Sequence, residues 1–117
     1  MSNEILNAFG QEFIEATRDD VLDEWRKIIN GDMKVPELIE WGNELRQFNL
    51  PKEMLEKIIY RVVDSCLFAF LNFIEQNDID IMWDSENIRE LSDGLAGELY
   101  STQGWINRFS KFPSDEG

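Results

Sequence analysis

Apolar residues recur at three- and four-residue steps along much of the chain, which is the spacing of amphipathic helices. The first such run covers residues 4–30 and contains Thr17-Arg18-Asp19-Asp20, which has the form of a capping box. Residues 4–30 are therefore either one bent helix or two helices. Asn30-Gly31 supplies a left-handed terminator for this run.

Three further helices are indicated by start signals and periodic apolar residues. Pro36 suits a first helical turn, and the periodic face that follows it ends at Phe48. Asn87 with Glu90 marks another start, and this helix would carry leucines as far as residue 99. A last short helix is predicted around residues 103–110.

The longest helix is predicted at about residues 51–76, after the start signal of Asn49 and Pro51. Its first half alternates a polar stripe with an apolar one, and Cys66–Ile74 is apolar nearly all round. A helix that is apolar on all sides belongs in a core. We therefore expect this helix to run through the centre of the domain, with Cys66 as an inert buried thiol.

The segment between the long helix and the next one reads EQNDIDIMWDSE, residues 75–86, with five carboxylates and no base. It does not fit a calcium loop, because methionine and tryptophan fall where such a loop needs a ligand and a glycine. Ile79, Ile81 and Trp83 alternate with polar residues, which predicts an extended segment near 79–83 with its apolar side turned inward. No second strand is evident from the sequence. The segment is either an acidic connector or an acidic docking edge with an aromatic anchor.

Together these patterns predict an all-α fold, a single compact domain of five or six helices around the long hydrophobic helix. The 117 residues suffice for one core and are too few for two. We assign residues 1–112 to this domain and residues 113–117 to a flexible C-terminal tail.

Charge and composition narrow the class of partner. The formal net charge is −13, from 24 acidic and 11 basic residues, which disfavours binding to nucleic acid or to an anionic membrane. A basic protein would be attracted instead, although acidity can also serve solubility alone. A single cysteine, no secretory signal at the N-terminus and no apolar run of membrane-spanning length favour a cytoplasmic protein.

The absence of histidine removes the commonest general base and transition-metal ligand. Serine–histidine and cysteine–histidine catalysis and the usual zinc sites are excluded, and we expect neither a cofactor nor an enzyme. One enzymatic alternative is open. Carboxylate pairs one helical turn apart occur at Glu12/Glu15, Glu37/Glu40 and Glu90/Asp93. Such pairs resemble those of the all-helical nucleotide pyrophosphohydrolases, which implies Mg²⁺-dependent hydrolysis, although they also arise on any solvated acidic helix.

The function that these features favour is binding to another protein, for example as an immunity protein or inhibitor that covers a basic surface. The alternatives are the Mg²⁺-dependent phosphohydrolase and a helical module with no charge-driven partner. Two groups of residues combine carboxylates with a tryptophan and are predicted to contact the partner. They are Asp78, Asp80, Trp83, Asp84 and Glu86, and, more weakly, Glu37, Glu40, Trp41 and Glu44.

Overall fold

The structure, a computed structural model, describes residues 2–112, so the predicted tail at 113–117 lies outside the described residues. The all-α class is confirmed: within 2–112 the chain forms six α-helical segments and one very short hairpin. In chain order the elements are α1 (Ser2–Ile14), a π-helical turn (Glu15–Asp19), α2 (Asp20–Asn30), α3 (Pro36–Gln47), α4 (Lys52–Gln76), β1 (Met82–Trp83), β2 (Glu86–Asn87), α5 (Ile88–Leu91), a 3-10 turn (Ala96–Leu99) and α6 (Trp105–Phe109).

The first run is one continuous helix, because α1 passes through the π-helical turn directly into α2. Thr17 does not cap a new helix there. Its hydroxyl donates instead to the Phe13 carbonyl oxygen at 2.6 Å, a bond to the preceding turn that leaves the helix unbroken. The helix ends where predicted, since Gly31 adopts a left-handed conformation with φ of 81°.

The helix predicted from Asn87 to residue 99 is much shorter than expected. The Asn87 side chain caps α5 as predicted, by accepting from the Arg89 N–H at 3.2 Å. The helix then stops at Leu91, because Ser92 bonds locally: its hydroxyl accepts from the Gly94 N–H and donates to Glu98. Short side chains that bond nearby backbone compete with helix, and two glycines in this stretch weaken it further.

The main hydrophobic core lies toward one end of the molecule, around the fully buried Trp105 of α6. It joins α1, the C-terminal part of α4, α5, the 3-10 turn and α6. Gly10 makes room for the indole, because a Cβ at this position would lie 2.5 Å from Trp105 Cε2. Trp105 is therefore a central core residue, whereas Trp25 of α2 is only half-buried.

The other end of the molecule is built by α2, α3 and the start of α4. Helix α3 lies close against α2, since a Cβ on Gly42 would be 2.4 Å from the Ile28 carbonyl oxygen. The two ends give an elongated molecule of 50 × 28 × 23 Å. Its radius of gyration is 16.4 Å, against about 13 Å for a compact domain of 100 residues.

The burial of α4 differs from the prediction. The helix has the predicted length, but within Cys66–Ile74 only Leu71 and Ile74 are buried, and Ile58 and Val62 in its first half are more than 50% exposed. Cys66 is exposed, so its assignment as a buried core thiol is wrong.

The reason is that α4 turns polar side chains toward the first helix. The guanidinium of Arg18, which has no solvent exposure, donates from Nε to Asp64 Oδ1 at 2.6 Å. The same guanidinium also bonds the Ser110 hydroxyl and the Phe112 carbonyl oxygen. About two turns further along the first helix, Arg26 pairs with Glu56 of α4 at 3.7 Å. Charged groups on α2 and the π-helical turn thus fix the side of α4 that faces inward.

Candidate protein-binding surfaces

The acidic segment after α4 forms a hairpin edge, which we define as Asp78, Asp80, Trp83, Asp84 and Glu86. The predicted alternation is confirmed: Ile79 and Ile81 pack against the core, while Asp78 and Asp80 face solvent. A second strand, not expected from the sequence, pairs Met82 with Asn87 and Trp83 with Glu86. The intervening residues Asp84 and Ser85 have φ of 51° and 64°, so the loop is a two-residue turn of the type that suits hairpins.

Two of the carboxylates in the hairpin edge pair with one arginine, which offsets one of their two negative charges. Arg89 Nη2 lies 2.6 Å from Asp80 Oδ1, and Arg89 Nη1 lies 3.8 Å from Asp78 Oδ1. The hydrogen bond from Arg89, helped by one from Asn87, lowers the pKa of Asp80 below its usual value. These aspartates therefore organise the connection between α4 and α5, and together with Arg89 they carry a local net charge of −1 rather than −2.

The remaining members of the hairpin edge are more available to a partner. Asp84 and Glu86 are exposed, and neither forms an ion pair with any residue of the described part of the chain. Trp83 is partly exposed and packs edge-on against Phe9 of α1 with ring centroids 5.7 Å apart. The hairpin edge is thus held rigidly on the core through its tryptophan.

The second predicted group lies on the outer side of α3 and forms a continuous surface, the α3 acidic face. Glu37, Trp41 and Glu44 follow steps of four and three residues, and Glu40 lies beside them, so all four share one side of the helix. All are exposed, and between residues 2 and 112 the three glutamates form no ion pair. Their charge is therefore not compensated locally.

The α3 acidic face includes a further residue, Phe48, that was expected on the buried side of this helix. Phe48 follows Glu44 by four residues and is 70% exposed, so it extends the same side of α3. Trp41 is 48% exposed and rests on Trp25 of α2, with ring centroids 6.1 Å apart. The spacing of seven residues from Trp41 and of four from Glu44 was a signal for Phe48 in the sequence, but periodicity alone does not say which side is buried.

The two acidic surfaces are not brought together. Trp83 of the hairpin edge packs on Phe9, whereas Trp41 of the α3 acidic face packs on Trp25. These two contacts lie 16 residues apart on the continuous first helix, or about 24 Å at 1.5 Å per residue. A single small partner site would therefore use one surface or the other.

The carboxylate pairs that suggested a magnesium site lie on solvent-exposed helix and turn surfaces. Among the described residues, no group of three or more histidine, cysteine, aspartate or glutamate side chains converges in a way that could hold a metal ion.

No protein-family model, curated protein or solved structure matches this chain. No helix within residues 2–112 combines the length and the apolar character needed to cross a membrane.

Proposed function

We propose that this protein acts by binding a basic protein through the α3 acidic face. The observation that carries the proposal is the placement of three glutamates without ion-pair partners in the described structure around two exposed aromatic rings on one side of one helix. Carboxylates without local partners attract a cationic surface over a distance, and exposed aromatic rings supply most of the contact energy after docking. The formal charge of −13 adds long-range attraction.

The most specific form of this proposal is an immunity protein or inhibitor that covers a basic site on a toxin or nuclease. The support is the combination of small size, strong negative charge and an acidic surface with aromatic anchors. The hairpin edge is the weaker of the two surfaces, because Asp78 and Asp80 already pair with Arg89.

The partner can be identified by affinity capture at low salt followed by mass spectrometry, and then titrated as a purified protein. We expect the glutamine variant of the α3 acidic face to slow association and to weaken binding about tenfold at low salt, because electrostatic steering acts mainly on the association rate. The control carries three exposed glutamates of α1 and the π-helical turn changed in the same way, so that both variants have the same net charge. The test variant is Glu37→Gln/Glu40→Gln/Glu44→Gln, and the control is Glu4→Gln/Glu12→Gln/Glu15→Gln.

The aromatic part of the surface is tested separately by Phe48→Ala. We expect this variant to accelerate dissociation of the complex. Phe48 is mostly exposed in the free protein, so its replacement removes contacts mainly with the bound partner. Equal binding by the test and control glutamine variants, or binding that is insensitive to salt, would show that the α3 acidic face is not the docking surface.

A further inference from the structure

The outer side of α4 carries a continuous apolar surface that no described part of this chain covers. We define the α4 stripe by the residues that follow one another at steps of three or four along this side: Met54, Ile58, Val62, Cys66, Ala69 and Phe73. All six are exposed, and Phe70 flanks them with its ring half exposed. Soluble proteins rarely leave a contiguous apolar patch of this size open unless another molecule binds there.

We propose that a second copy of this chain binds the α4 stripe, so that two α4 helices pack against each other in a symmetric dimer. The last four residues of the stripe, from Val62 onward, follow steps of four, three and four, which is the spacing of paired helices. Small side chains at Cys66 and Ala69 allow two helix axes to approach closely near the middle of the contact.

The area of the stripe suits a dimer. Helix α4 has 25 residues and is about 37 Å long. From the exposed fractions of its side chains, the stripe presents roughly 500 Å² per copy, so two copies would bury about 1,000 Å², which is the lower limit for a specific interface. Rim residues such as Phe70 would add to this area.

The charges along α4 favour a second copy over a basic or an acidic partner. Residues 51–74 contain three acids and three bases and are therefore neutral, whereas the whole chain has a formal charge of −13. The α4 stripe itself contains no charged residue. Two strongly acidic molecules can thus meet along this helix without placing like charges in the contact.

Sedimentation analysis over a range of protein concentrations tests the dimer. We expect a monomer–dimer equilibrium in the micromolar range that Val62→Glu or Phe73→Glu weakens at least a hundredfold, because a carboxylate would be buried without a partner. Met82→Glu, at an exposed methionine outside the stripe, is the control and leaves the equilibrium unchanged. A protein that is monomeric at every concentration, or a dimer that neither stripe variant weakens, would overturn the proposal.

The arrangement is tested by cross-linking. A short bismaleimide should link Cys66 of one copy to Cys66 of the other, because Cys66 lies near the middle of the α4 stripe, and Cys66→Ser should abolish the link. The absence of a link through Cys66 would exclude pairing centred at this residue.

Ionic strength separates the dimer from the proposed partner complex. The two copies repel each other through their net charge, so added salt should strengthen the apolar dimer. Binding of a basic protein at the α3 acidic face should weaken under the same change. If one of these two salt effects is not observed, only the corresponding proposal is contradicted, because the stripe variants leave the α3 acidic face unaltered.

Discussion

Replacing Asp64 by alanine should strongly destabilise the protein, because it leaves the Arg18 guanidinium buried without its counter-ion. The side chain of Arg18 has no solvent exposure and that of Asp64 has 14%. Breaking a buried ion pair by removing one partner costs about 3–5 kcal/mol. We expect about 3 kcal/mol here, because Arg18 keeps its bonds to Ser110 and to the Phe112 carbonyl oxygen.

This loss should be visible in both thermal and urea unfolding. For 117 residues and an unfolding entropy of about 2.1 cal/mol/K per residue, about 3 kcal/mol corresponds to a decrease in Tm of about 12 °C. The measurement is the unfolding curve by circular dichroism at one fixed protein concentration, so that any dimer contributes equally to each variant. Asp23→Ala is the matched control, since Asp23 pairs with Lys111 at 2.5 Å on the surface. Such exposed pairs contribute about 0–1 kcal/mol.

The double variant Arg18→Met/Asp64→Leu completes the test. Replacing both members of a buried ion pair with apolar residues of similar size is often neutral or stabilising, so the double variant should recover most of the lost stability. If Asp64→Ala cost no more than Asp23→Ala, the Arg18–Asp64 pair would not be the contact that holds α4 on the first helix. A double variant as unstable as the single one would show that the ionic network is required for the fold itself.

Two further predictions follow from the core and from the hairpin edge. Gly10→Ala should destabilise the protein by about 1–2 kcal/mol, because overpacking against the buried Trp105 outweighs the gain in helix propensity. Gly97→Ala is the control in the same unfolding assay. A Cβ at this position would have no neighbouring atom within 4 Å beyond the adjacent residues, so this variant should be neutral or slightly stabilising. Because Arg89 lowers the pKa of Asp80, the contribution of this carboxylate is present above its ordinary pKa of about 3.9 and is lost as the pH falls through the lower folded value. The difference in urea midpoint between the native protein and Asp80→Asn should therefore be largest near neutral pH and should shrink in acid; a difference that is constant with pH would contradict this.

Local signals were sufficient to predict most helix boundaries. Gly31 ends the first helix, Pro36 begins α3 and α4 starts next to Pro51, because these residues restrict the backbone whatever surrounds them. The hairpin was missed because each strand has only two residues and its turn lacks the Asn-Gly or Asp-Gly pair typical of such loops. The pairing of Asp80 with Arg89 depends on that turn, so it could not be predicted either.

The orientation of α4 could not be predicted from periodicity for a different reason. A repeating apolar pattern shows that a helix has an apolar side, but not which molecule covers that side. Here the inward side was decided by Arg18, 46 residues away in sequence, because a buried guanidinium needs a carboxylate. The exposure of Phe48 could not be predicted for the same reason. Its apolar character suggested burial, but the structure leaves it on the α3 acidic face.

The orientation of α4 also has an energetic consequence for the isolated molecule. At about 25 cal/mol per Å², the roughly 500 Å² of the α4 stripe corresponds to about 12 kcal/mol of hydrophobic free energy that one copy alone does not gain. This is comparable with the whole stability of a typical domain, about 5–15 kcal/mol. Association costs about 4–15 kcal/mol in lost freedom of motion, and ordering of side chains and desolvation of polar groups add to this cost, so only part of the hydrophobic free energy appears as affinity. Arg18 fixes α4 with the α4 stripe outward, so the helix has both a hydrophobic driving force and a fixed geometry for pairing with a second copy. A helix free to rotate about its axis would lack that fixed geometry.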